Sequence, residues 1–103
     1  MRKTNVFVNG VLSGELQEIQ RGKEYYFVYL ESYKGPSVSL EMPITKRVYK
    51  FDRFPPFFEG LLPEGIMLEG LLRQTKIDRD DLLSQLIAVG GDMVGNVTVE
   101  EGV

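Results

Sequence analysis

The apolar pattern of this chain changes period at Pro55-Pro56, and that change limits the folds open to it. Ahead of the two prolines, apolar residues alternate or cluster in short runs closed by glycine turns, as strands do. Behind them they recur at three and four, as on one stripe of a helix. Near the end the pattern returns to a strand at Val97 and Val99. Strands, then helices, then one closing strand predict an α+β fold: a mainly antiparallel sheet with two to three helices packed on one face.

In the first half, Val6, Phe7 and Val8 face Val11 and Leu12 across Asn9-Gly10, a strong two-residue hairpin signal. Leu12, Leu16 and Ile19 extend the pattern, and Gly14 interrupts it in the manner of a bulge. Gly22-Lys23 marks a second turn. The run YYFVYL at 25–30 is aromatic and β-branched, which suits a central strand partly covered on both faces. Lys34-Gly35-Pro36 is a third break. Val38, Leu40 and Met42 then alternate with Ser37, Ser39 and Glu41, which predicts another strand, closed by Pro43. KRVYKFDR at 46–53 fits either a short strand or an extended loop.

Pro55-Pro56 keeps Phe54 and Pro55 out of helix, but a helix can start at Pro56 and run to Leu62. Pro63 at the first helical position and Glu64 beside it predict a second helix, with Met67, Leu68, Leu71 and Leu72 as its stripe. Asp78 is the expected N-cap of a third, with Asp80 and Asp81 in its first turn and Leu82, Leu83, Leu86 and Ile87 as its apolar face. Gly90-Gly91 reads as its stop, and residues 94–99 as a turn into the last strand.

The 103 residues predict one domain, 1–103. There is no cysteine and no histidine, which removes disulfides, thiol nucleophiles, the usual general base and the best zinc ligands. No metal and no cofactor are expected. MRKTNVFVNG lacks the apolar run of a signal peptide, and no stretch nears the roughly 20 apolar residues of a membrane span, so a cytoplasmic location without membrane contact is expected. Twelve basic against fifteen acidic residues give a net charge of −3, which disfavours general nucleic-acid binding.

Catalytic groups are scarce. Asp80 and Asp81 are adjacent and do not face each other on a helix. No serine lies in a nucleophile elbow or an S-x-x-K setting. GGDMVG at 90–95 lacks the phosphate-loop lysine and reads as a helix stop and turn. The chain is therefore not expected to be an enzyme. Lys46, Arg47, Lys50 and Arg53 interleave with Tyr49, Phe51 and Phe54. Such a patch can hold single-stranded nucleic acid, but its shortness and the acidic Asp52 within it favour a solvated edge or an electrostatic contact with an acidic protein surface. FPPFFEGLLPEGIML, 54–68, is dense in apolar residues. It serves either as core, or, at the corner Pro63-Glu64-Gly65-Ile66-Met67, as exposed anchors for a partner.

The same residues carry a family resemblance. FFEGLLPEG at 57–65 is similar to the FF-[DEN]-x-LLP-[DE] signature of the N-terminal subdomain of HipA-family serine/threonine kinases. DLLSQLIAVGGDMVGNVTV at 81–99 resembles the segment that follows it, through Gly90, Asp92, Gly95 and Val97. Val11, Gly14 and Leu16, and SLEMPI at 39–44, are similar in spacing. The resemblance spans nearly the whole chain. HipA-like kinases resemble one another as toxins encoded beside a helix-turn-helix antitoxin, and the motifs of their kinase lobe (H-R-D, D-F-G, V-A-I-K) are missing from this sequence. Some systems of this family split the subdomain from the kinase, and a chain ending at Val103 fits that arrangement. The resemblance then implies a HipS-type antitoxin of a HipBST-like system. Its partner is a HipT-like kinase, neutralised by docking on the N-lobe, with a HipB-like DNA-binding protein reached through the complex and no direct nucleic-acid contact. The implied contact is the corner, with Ile66 and Met67 at the tip, Pro63, Glu64 and Gly65 forming the turn, and Phe57, Phe58 and Leu62 in support. Ile66 departs from the bulkier aromatic expected after that glycine, which argues against a large-ring plug. The competing readings are a nucleic-acid or transcription accessory factor acting through 46–53, and a non-functional fragment of a kinase.

Overall fold

In the computed structural model, which describes residues 1–91 and 95–102, five strands form one antiparallel sheet. They are β1 (Arg2–Val8), β2 (Val11–Gln20), β3 (Glu24–Tyr29), β4 (Val48–Phe51) and β5 (Val97–Glu101), in the order β4-β3-β2-β1-β5. Three helices, α1 (Pro56–Glu59), α2 (Gly65–Thr75) and α3 (Leu82–Val89), lie between β4 and β5 in the chain. The expected α+β architecture is present, closing strand included.

The β1–β2 turn follows from its two residues. Asn9 and Gly10 both take positive φ, 52° and 80°, the left-handed pair a two-residue hairpin demands. The expected bulge is also there. Val6 pairs with Gly14 and Phe7 with Leu12, so Ser13 has no opposite residue. Its buried hydroxyl donates to the Val6 carbonyl at 2.8 Å, which satisfies it locally. Gly14 itself is required by a neighbour: a Cβ there would sit 2.3 Å from the Val28 carbonyl oxygen.

Alternation puts Val6, Val8, Leu16, Tyr25, Phe27, Tyr29, Val97 and Val99 on one buried face. Phe54, Phe58, Leu62, Leu83 and Leu86 cover it from α1, α3 and the segments around them. Aromatic edges meet faces here: Phe27 lies 4.8 Å from Tyr29 and Tyr25 5.3 Å from Phe54, both T-shaped. The run at 25–30 forms β3 as far as Tyr29, with Leu30 outside it, and that strand is paired on both edges, although the middle of the sheet is β2. Its second face, Tyr26 and Val28, is half-buried.

Several expectations are corrected. Residues 37–42 do not form a strand: only an isolated Ser39–Met42 bridge occurs, around a tight turn. The Ser39 hydroxyl accepts from the Glu41 N–H at 3.0 Å, and the Tyr29 hydroxyl takes up the Val38 N–H at 2.9 Å. Side chains have replaced the ladder. Val38 and Met42 remain buried, while Leu40, on the turn, is 96% exposed. Helix α1 ends at Glu59, short of Leu62. Pro63 lies outside α2, whose N-cap is Glu64. Asp78 does not cap α3; Asp81 does, accepting from the Ser84 N–H at 3.2 Å. Gly90 ends α3 with ordinary helical φ of −57°. It is small because β5 passes there: a Cβ would lie 2.2 Å from the Val99 carbonyl oxygen. Asp92 and Val94 lie outside the described residues.

Candidate partner-binding surface

The corner after α1 is built by a change of hydrogen-bonding pattern. Pro56 opens α1 and Phe58, fully buried, pins it to the sheet. The Leu61 and Leu62 N–H groups then bond back to the Phe58 and Glu59 carbonyls at 3.1 Å each, a tightened turn that drops Leu62 into the core. Glu64 is extended and Gly65 takes φ of +57°, a conformation that favours glycine. This reversal aims the first turn of α2 away from the core. Ile66 is 88% exposed and Met67 72%.

No residue of α2 is fully buried. Leu68, Leu71 and Leu72 reach only half-burial against the domain. The helix has no side-chain N-cap and ends at Lys76, whose positive φ of 59° breaks it. Its connection to α3 is held from below, where buried Gln85 donates to the Asp78 and Arg79 carbonyls at 3.1 and 2.9 Å. The structure therefore separates the eight corner residues. Phe58 and Leu62 are core, Phe57 and Pro63 are half-buried, and Glu64, Gly65, Ile66 and Met67 are exposed.

The basic stretch is not one patch. Arg47 donates twice, to the Leu30 carbonyl at 3.0 Å and the Tyr33 carbonyl at 2.9 Å, and so ties the 30–33 segment to β4. Lys46 lies over the Tyr49 ring at 5.1 Å. Lys50 faces Glu24 at 3.7 Å and Arg53 faces Glu59 at 4.0 Å, both exposed pairs of small energetic worth.

One cluster has no local signal in the sequence. Arg2 at the start of β1 donates to Glu18 at 2.8 Å, to Asp81 at 2.8 Å and to the Ser84 hydroxyl at 2.8 Å. Arg21 reaches Asp81 at 3.2 Å, and the Tyr25 hydroxyl donates to Glu18 at 3.0 Å. Burial pushes the Asp81 carboxyl up, but hydrogen bonds from Arg2 and from the Ser84 side chain and backbone outweigh it and hold the group below the usual carboxylate range. The cluster fastens α3 to the sheet. Its carboxylates are occupied by arginines, and no group of three or more acidic side chains suited to a metal occurs among the described residues.

Known proteins share this fold. The solved N-terminal domain of HipA toxin superposes with a TM-score of 0.77 at 30% identity, covering 100% of this chain and 94% of that one. A protein of Haemophilus influenzae, described only as uncharacterised, is 33% identical over 101 residues, 98% of this chain and 93% of its own length. That relative is thus also a small protein of about the same length. A model of the HipA N-terminal domain family matches residues 4–100, and the chain belongs to that family.

Proposed function

We propose that this chain is a HipS-like antitoxin, which binds a HipA-family serine/threonine kinase and silences it by docking on the N-lobe where a fused N-terminal domain would sit. The observation that carries the reading is the pair Ile66 and Met67, 88% and 72% exposed on a helix with no buried residue. An apolar tip costs solubility unless something covers it. Fully burying each side chain stabilises a complex by about 1.5–3 kcal/mol. Because the free chain hides little of either, nearly all of that gain is open to a partner. The role is non-catalytic and cytoplasmic; the domain acts as one unit, and it meets a HipB-like DNA-binding protein only through the kinase. No helix among the described residues is long and apolar enough to cross a membrane.

A search for a HipA-family kinase frame beside this chain, followed by co-expression of the two, tests the reading. Growth should be rescued and the two should co-purify. Combined I66A and M67A should weaken binding by about 100-fold, the loss of roughly 3 kcal/mol of burial. If the double variant still binds and silences the kinase, the corner is not the effector. The nucleic-acid alternative is weakened by Arg47, which the Leu30 and Tyr33 carbonyls hold within the chain. The fragment reading predicts no neighbouring kinase frame and no rescue.

A further inference from the structure

Helix α2 is attached to the domain less firmly than its neighbours. Helix α3 packs on α1 and on β5, and Asp81 and Gln85 tie its first turns down. Helix α2 has no buried residue, and Leu68 borders an open groove of about 180 Å³ that it shares with Leu62, Leu82 and Gln85. Its half-buried leucines therefore rest on a seat they do not fill. The chain enters and leaves α2 through left-handed residues, Gly65 with φ of 57° and Lys76 with φ of 59°. Glycine takes that conformation without strain, but lysine does not, so the seated helix holds strain at its C-terminal end. Among the described residues, one polar contact joins α2 to a segment beyond its immediate flanks: the Arg79 guanidinium donates to Glu69 at 2.5 Å. Those side chains are 61% and 54% exposed, which makes the tie a weak one.

We propose that α2 is a strap that lifts off the domain about Gly65 and Lys76 while the sheet, α1 and α3 stay folded, with the Glu69–Arg79 pair as the latch that holds it shut. Gln85 sets the latch, because its buried amide fixes the Asp78 and Arg79 carbonyls of the segment from which the guanidinium extends. Once lifted, eleven residues with a glycine in their middle are too few to hold a helix in water, so the strap melts as it opens. Element ends that absorb a large change of φ and ψ are the usual hinges, and here both ends start from the left-handed region. Ile66 and Met67 ride on the strap, so the seat and the latch set their position and the core does not. The inference concerns the free chain and stands apart from the docking reading.

Amide hydrogen exchange of the free chain, followed residue by residue by NMR at several urea concentrations below the unfolding transition, tests this. Relative to their intrinsic rates, the hydrogen-bonded amides of α2 should exchange about 100-fold faster than those of α3 and β2. Their exchange should also depend little on urea, because lifting one helix exposes far less surface than unfolding the domain. If α2 shares the rates and the urea dependence of α3, it opens only with the whole domain and the proposal is wrong. Glu69→Gln should speed exchange in α2 by about threefold and leave β2 unchanged, the effect of losing one exposed ion pair. An unchanged α2 removes the latch, and acceleration of β2 as well shows that the pair supports the whole fold; either result overturns the proposal. Lys76→Gly should slow exchange in α2 by about threefold, since glycine relieves the strain of the seated position. Unchanged or faster exchange in that variant overturns the hinge at Lys76 and with it the proposal.

Discussion

Replacing Asp81 tests whether the arginine cluster is what fastens α3 to the sheet. The carboxylate plays two parts. It caps α3 by accepting from the Ser84 N–H at 3.2 Å, and it receives Arg2 at 2.8 Å and Arg21 at 3.2 Å. Loss of a cap costs about 1 kcal/mol. Charge-assisted hydrogen bonds are worth about 1.5–3 kcal/mol when dry. Here the Arg2 and Arg21 side chains are 37% and 46% exposed, so solvent screening leaves roughly 1–2 kcal/mol. Asp81→Ala should therefore destabilise the chain by about 2–3 kcal/mol, against a whole-domain stability of about 5–15 kcal/mol. Asn keeps the cap acceptor and loses the charge, so Asp81→Asn should cost only about half as much. The pH dependence follows from the sign of the shift. The folded carboxyl sits below its ordinary value, so the unfolded chain takes up its proton first as acid is added. The stabilisation is full above about pH 4, the unfolded value, and is lost as the pH falls through the lower folded value. Urea unfolding at pH 7, 4 and 3 measures all of this. The parent chain should lose more stability on acidification than Asp81→Asn. If Asp81→Ala and Asp81→Asn cost the same, or if Asp81→Asn retains the parent's acid sensitivity, the cluster is not the fastener.

Two further outcomes follow from packing. Phe58→Ala should cost about 3–5 kcal/mol by thermal or urea unfolding, because the ring is wholly buried beside Phe27, whereas Leu40→Ala, at 96% exposure, should be silent. Gly14→Ala should destabilise strongly, by more than about 2 kcal/mol, since the added carbon would overlap the Val28 carbonyl of a central ladder; circular dichroism melting reads the loss.

Legibility in the sequence followed the range of the interaction. The Asn9-Gly10 hairpin, the bulge near Gly14 and the Pro56 helix start rest on neighbours along the chain, and they were readable. The alternation at 37–42 misled because period two reports which side chains are buried, and a turn held by Ser39 and Tyr29 buries Val38 and Met42 as well as a strand does. Asp78 was the expected cap of α3 with Asp81 in its first turn, but Asp81, which also receives distant Arg2, holds the cap. Arg47 looked like surface charge, yet its role depends on two carbonyls brought near by folding. At the corner, composition marked a stretch dense in apolar residues. It did not divide buried Phe58 and Leu62 from exposed Ile66 and Met67, because that division depends on the left-handed Gly65.

The pairing of β5 with β1 has a consequence for how the chain is made. Val8 meets Val97 and Val6 meets Val99, so this edge of β1, made before β5, stays open until β5 arrives. At roughly 5–20 residues per second, that interval lasts several seconds or more. Throughout it the nascent chain exposes β-branched Val6 and Val8 on an unpaired edge, the kind of surface that recruits chaperones or a second nascent chain.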